Sequence, residues 1–147
     1  MATSVPEQTV EQLEDGIVSV LEGGALPDST AVEPFPGNTE DYRMTTQSAL
    51  LVLYEREAFQ ASQDEIDQLL SIERTPRFNI VCVSKQRRSD SRRQGHGPVY
   101  DLIEYALRAL SGADIAGYEA VPETSQPLGL NPRDKTWRYQ LTFELRN

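Results

Sequence analysis

The stretch Trp137-Arg138-Tyr139-Gln140-Leu141-Thr142-Phe143-Glu144-Leu145-Arg146 decides the fold class. Apolar and polar side chains alternate along it without a break, which is the period of a β-strand with two unlike faces. Trp137, Tyr139, Leu141, Phe143 and Leu145 predict a buried face. Arg138, Gln140, Thr142, Glu144 and Arg146 predict a wet one. A strand wet on one side belongs in an antiparallel or mixed sheet, and its apolar side needs a cover.

Upstream, Pro98 stands where a first-turn proline belongs, and a helix is predicted from there to Leu110. Val99, Leu102, Ile103, Ala106, Leu107 and Leu110 form its apolar stripe. Asp101, Glu104 and Arg108 lie opposite, with Glu104 and Arg108 spaced as an i,i+4 pair, and Gly112 ends the helix. A second helix opens at Thr9, whose hydroxyl can cap the first free N–H groups while Gln12 completes a capping box. Val10, Leu13, Ile17, Val20 and Leu21 are its stripe, and Gly23-Gly24 stops it.

Ala49–Tyr54 is an apolar run of strand length, and Arg77–Ser84 is another strand with Phe78, Ile80 and Cys82 on one face. Proline-rich residues 25–47 predict a short edge strand at Ala31–Phe35 and then a loop. Residues 55–70, charged and glutamine-rich, read as a long excursion between strands. Residues 113–135 read as loop with a short strand near Tyr118–Val121. The expectation is an α+β fold, a mixed or mostly antiparallel sheet of about four to five strands with two helices packed on one face. All 147 residues form a single domain on this reading, with residues 1–8 as a flexible N-terminal tail.

Composition narrows the function classes. A single cysteine, Cys82, cannot form an intramolecular disulfide, and the N-terminus carries no signal-peptide pattern. No run approaches the roughly 18 apolar residues of a membrane span, so no membrane role is expected. The net charge of −9 argues against a general nucleic-acid binder. The charge is uneven, however. Residues 1–73 hold 15 acidic and 2 basic side chains, and residues 74–147 hold 8 acidic and 12 basic. Such opposed halves suit head-to-tail contact between copies.

Chemistry is hard to find. His96, in Gly95-His96-Gly97, has no sequence neighbour that would act as its catalytic partner, and one His with one Cys does not make a metal site. Cys82, on an apolar strand face, reads as a buried, inert thiol. Gly95-His96-Gly97-Pro98 precedes a helix but lacks the lysine and the Ser/Thr of a phosphate loop. Neither enzyme activity nor a cofactor is expected. The one charged cluster is Lys85, Arg87, Arg88, Arg92 and Arg93, broken by Asp90 and followed by His96. It is a candidate contact loop. Contact with a neighbouring protein, a solvated loop and phosphate contact all stay open, the last weakened because no aromatic side chains are interleaved to stack on bases.

The run Val99-Tyr100-Asp101-Leu102-Ile103-Glu104 through Leu110-Ser111-Gly112, and the ending Trp137-Arg138-Tyr139-Gln140-Leu141-Thr142-Phe143, resemble the Mu-like tail terminator (tail completion) family of contractile-tailed phages. In that family a short helix, a central apolar strand, a variable basic loop, a helix ending in Leu-x-Gly and an aromatic closing strand come in this order. The resemblance spans residues 9–145. It implies a structural virion protein that caps the head-proximal end of a tail as a homohexameric ring on tube and sheath. The implied partners are the tail tube and sheath proteins and the neck or head-completion proteins, with genomic DNA passing through the lumen. The implied place is the virion tail or neck, reached by assembly in the host cytoplasm. It brings no catalytic residues. The rival readings are another neck or head–tail connector protein and, from a different class, a nucleic-acid-binding accessory protein acting through the 85–93 loop. A hydrolase built on His96 lacks a visible nucleophile–base pair.

Overall fold

The structure is a computed structural model that describes Thr3, Ser4 and residues 8–27, 29–66, 69–85 and 97–147. Helix α1 covers Val10–Glu22 and begins as the sequence dictates. The Gln12 N–H donates to Thr9 Oγ1 at 3.1 Å, and the Thr9 N–H donates back to Gln12 Oε1 at 2.9 Å. Close packing limits what can follow it: a Cβ on Gly24 would sit 2.5 Å from Tyr105 Oη, which itself donates to the Leu21 carbonyl at 2.5 Å. Helix α2 covers Gly97–Leu110, and Gly112 behind it takes a φ of +77° that favours glycine.

In chain order the strands are β1 (Thr3–Ser4), β2 (Thr30–Pro34), β3 (Ser48–Gln63), β4 (Leu70–Lys85), β5 (Asp114–Ile115), β6 (Tyr118–Asn131) and β7 (Thr136–Arg146). They make one mixed sheet in the order β2-β3-β4-β7-β6-β5, with β1 beside the outer part of β4. The α+β class with both helices on one face holds. The strand count does not: six strands lie on the main path, with β1 off it, against the four to five expected.

One face carries the core. Leu13, Ile17 and Leu21 of α1 and Val99, Leu102, Ala106 and Leu110 of α2 pack on Leu50, Val52, Phe78, Ile80, Cys82, Leu141, Phe143 and Leu145 of the sheet. Each such Val, Leu, Ile or Phe side chain taken out of water contributes about 1.5–3 kcal/mol. The sheet residues belong to alternate positions, so a slip of one residue would expose the whole set.

Two stretches read as loop are strand. Residues 55–63 and 70–76 extend β3 and β4 as one hairpin, in register from Arg56↔Arg77 to Gln63↔Leu70 after a bulge at Tyr54/Arg56. Both faces of this extension lie outside the core, so no apolar alternation marks it. Likewise β6 runs through Pro122 and Pro127, well beyond Val121. Past Ala120, which still bonds Gly112 and Ala113, its ladder runs with β7 alone, and register shifts at Pro122/Thr124 and Pro127/Gly129 absorb the missing donors. Within the N-terminal stretch expected as a flexible tail, Thr3–Ser4 pair parallel with Leu70–Ser71.

The predicted wet face of β7 is also partly covered. The segment at 35–47 folds over the second face of the sheet, where Tyr42 packs with Ala49, Leu51, Val81 and Val83, and Phe35 meets Tyr42 edge-on at 5.3 Å. Arg138, expected in water, is 3% exposed beneath it. Thr142 is buried too and donates to Asn79 Oδ1 at 2.8 Å.

Candidate assembly interface

Strand β4 defines two ends of the molecule. Its Lys85 end pairs with Thr136 at the start of β7, and its Leu70 end lies beyond the last β7 partner, Glu144↔Arg77.

At the Lys85 end, Arg138 organises the surface. Its Nε donates to Thr136 Oγ1 at 3.1 Å and its Nη2 to Asp134 Oδ2 at 3.0 Å, while Nη1 and Nη2 hold the carbonyls of Thr39 and Tyr42. A guanidinium suits this task because its rigid fork of donors can bind several oxygens at once and stays charged when buried. The β6–β7 turn is closed by side chains: Asn131 Oδ1 accepts from the Arg133 N–H at 2.9 Å, and Asp134 Oδ1 accepts from the Thr136 hydroxyl at 2.7 Å. Burial, with a hydrogen bond to Glu33 behind it, pushes the Tyr42 hydroxyl up to about 12. The phenol therefore stays a neutral donor across the ordinary pH range.

Two open cavities flank this clamp. One, of about 530 Å³, lies between Asn38–Thr39 and residues 128–133 at the end of β6 and in the turn after it, with Arg138 and Gln140 also lining it. The other, of about 600 Å³, is bordered by Asp41, Arg43, Met44, Lys85, Arg133 and Asp134. Of the six residues singled out from sequence, Lys85 is exposed at this second rim, its N–H bonded to the Gln47 carbonyl at 3.1 Å. Arg87, Arg88, Arg92, Arg93 and His96 lie outside the described residues. The sequence reading missed Arg43, Arg133, Lys135 and Arg138 as companions of Lys85. Their spread over distant segments left no local cluster to notice.

At the other end the β3–β4 hairpin stands out as an arm. Its base is tied down by Arg74, which donates to Glu57 Oε2 at 2.8 Å and Oε1 at 3.1 Å and also holds the Gln8 carbonyl. The hydrogen bonds to Glu57 raise the Arg74 pKa further. Phe59 is 62% exposed and Ile66 94% exposed on this arm. Between Glu55 and Glu73 the sequence places six acidic side chains against Arg56 alone.

Between the ends, adjacent strands β4, β7 and β6 carry a compact charge cluster. Glu144 takes Arg146 Nε at 2.7 Å and Arg77 Nη2 at 3.2 Å, and Arg77 also reaches Glu123 at 3.2 Å. A hydrogen bond from Glu123, with those from Arg146 and Arg77, lowers the Glu144 carboxyl to about 2 and raises that of Glu123. Burial pushes the Cys82 thiol up to about 12. Among the described residues no group of three or more His, Cys, Asp or Glu could hold a metal ion, and no helix is long and apolar enough to cross a membrane.

The two sequence segments that carry the family resemblance meet in space. Tyr100 of α2 and Tyr139 of β7 pack edge-on with ring centroids 5.6 Å apart, and their hydroxyls are 3.3 Å apart. Neither a protein-family model nor a curated protein sequence matches the chain. Among solved structures it is similar to a chain of the virion of a native gene transfer agent particle, at 17% identity and a TM-score of 0.49, over 92% of this chain and 88% of that one. It is also similar to the sheath/tube terminator, in its extended state, of the extracellular contractile injection system PVC. There the identity is 12% and the TM-score 0.48, over 97% of this chain but only 58% of that one. The likeness is one of fold.

Proposed function

We propose that this chain is a tail terminator: a structural protein that closes the head-proximal end of a phage-like tail as a ring and presents a surface for joining the head. What supports the reading above all is the α2–β7 unit. The residues that resemble the terminator family, Val99–Gly112 and Trp137–Phe143, form one packed body joined by the Tyr100–Tyr139 contact. Opposite charge at the two ends of the sheet adds a means of head-to-tail assembly, since a heterologous interface closes into a ring when its rotation permits. The ring is hexameric on this reading. Its partners are the tube and sheath below and the neck above, and DNA passes through its lumen. The protein assembles in the host cytoplasm and ends in the tail or neck of the particle.

Electron microscopy of particles made without the gene tests this. Tails of uncontrolled length that never join heads are expected. Tails of normal length beside unattached heads would shift the role to a neck connector, and intact virions would overturn both. The Lys85–Arg93 loop joins the same test: replacing Arg87, Arg88, Arg92 and Arg93 with serine should weaken ring assembly or capping. DNA binding by the purified protein with a steep salt dependence would instead favour the nucleic-acid accessory reading.

A further inference from the structure

Among the described residues, the exposed large apolar side chains fall into two groups: Tyr54, Phe59 and Ile66 on the arm, and Leu128 and Leu130 on β6. The groups lie at opposite ends of the sheet. Leu130 pairs with Trp137 and Asn131 with Thr136, beside the Lys85 end, whereas the arm turns at Asp64–Leu69 beyond the Leu70 end. A continuously paired strand separates them, so neither patch can cover the other within one molecule.

The surroundings are complementary. Glu55, Glu57, Asp64, Glu65 and Glu73 all belong to the arm, with Glu57 held by Arg74 and Glu55 3.9 Å from Arg56. The β6 patch borders the cavity of about 530 Å³ that Arg133 also lines, with Lys135 in the adjoining turn. The arm also has an edge in need of cover. Among the described residues, the only strand along the outer side of β3 is β2, whose pairing stops at Pro34↔Val52. Beyond it, Ala58-Phe59-Gln60-Ala61-Ser62 carries none of the charges or prolines with which exposed sheet edges are ordinarily blunted. An apolar, acidic-rimmed projection and an apolar, basic-rimmed cleft on one chain are the two halves of a heterologous contact.

We propose that the β3–β4 arm of one copy seats in the β6 cleft of the next, with Phe59 and Ile66 against Leu128 and Leu130, and Glu65 facing Arg133 and Lys135. The inference rests on the ring-forming reading above and names the surface that would build the ring.

The test is complementation between two crippled chains, read as mass in solution by analytical ultracentrifugation. Phe59→Ser/Ile66→Ser removes the arm patch and keeps the cleft; Leu128→Ser/Leu130→Ser does the reverse. Each variant alone should be monomeric, with an unfolding midpoint near that of the wild type because the replaced side chains are exposed. Mixed together, the two should form a one-to-one heterodimer and stop there. Raising the salt should weaken that heterodimer, and Glu65→Lys should be rescued by Arg133→Glu on the facing copy. Self-association by either variant, a mixture that stays monomeric, or a wild-type chain still monomeric at millimolar concentration would overturn the contact. Those results would leave the terminator reading standing, because tail length in particles lacking the gene measures that independently.

Discussion

Strands β3 and β4 are each half body and half arm, and the two halves obey different rules. From Ser48 to Val52 and from Phe78 to Ser84 nearly every residue is buried, because helices cover one face and the 35–47 segment covers the other. From Tyr54 outward, β3 is exposed at almost every position, yet the backbone pairing with β4 continues to Gln63↔Leu70. Hydrogen bonding is therefore the same in both halves, and side-chain burial is what differs. The body is held by packing. The arm is held by its ladder, by the turn at Asp64–Leu69 and by the Arg74–Glu57 pair at its base.

The comparison is broken most strongly from the body side. Phe78→Ala should cost about 3–5 kcal/mol, seen as a lower urea midpoint, because a fully buried ring leaves a cavity under both helices. Arg138→Ala should cost about 2–3 kcal/mol by the same measurement, since it strips buried carbonyls at Thr39 and Tyr42 of their donor and releases the segment over the second face. A smaller effect follows acid. Glu144 titrates near 2 in the folded chain and near an ordinary carboxylate value of about 4.3 when unfolded. Its stabilising contribution is complete above about pH 5 and is lost as the pH falls toward 2. Melting curves of wild type and Glu144→Gln should therefore differ most near neutrality and converge toward pH 2. Glu123, raised by the same hydrogen bond, acts in the opposite sense, so a Glu123→Gln control should not show that convergence.

The mildest change sharpens the contrast. Phe59→Cys should alter stability by no more than about 0.5 kcal/mol. The new thiol on the arm should react with a thiol reagent at once. Cys82, fully buried and held near 12 by desolvation, should react only on unfolding.

The sequence by itself determined the elements whose burial is periodic. α1 with its capping box, α2 with its stripe, and the core face of β7 all follow from local spacing, because each has one side against the core and one against water. The family resemblance is carried by two of them. What only the tertiary structure decided is everything without such contrast. The arm escaped because both its faces lie outside the core, and β6 escaped because its prolines are tolerated on a strand lacking a second neighbour. Arg138 read as a solvent residue because nothing local announces that residues nearly a hundred positions away fold over it. The candidate interface divides in the same way. Lys85 and its arginines were visible as a run of charge, whereas the pairing of an acidic arm with a basic cleft needs the two ends of β4 to be placed in space. Periodicity reports how a residue meets its own element's two sides; it carries no record of which distant segment supplies the cover.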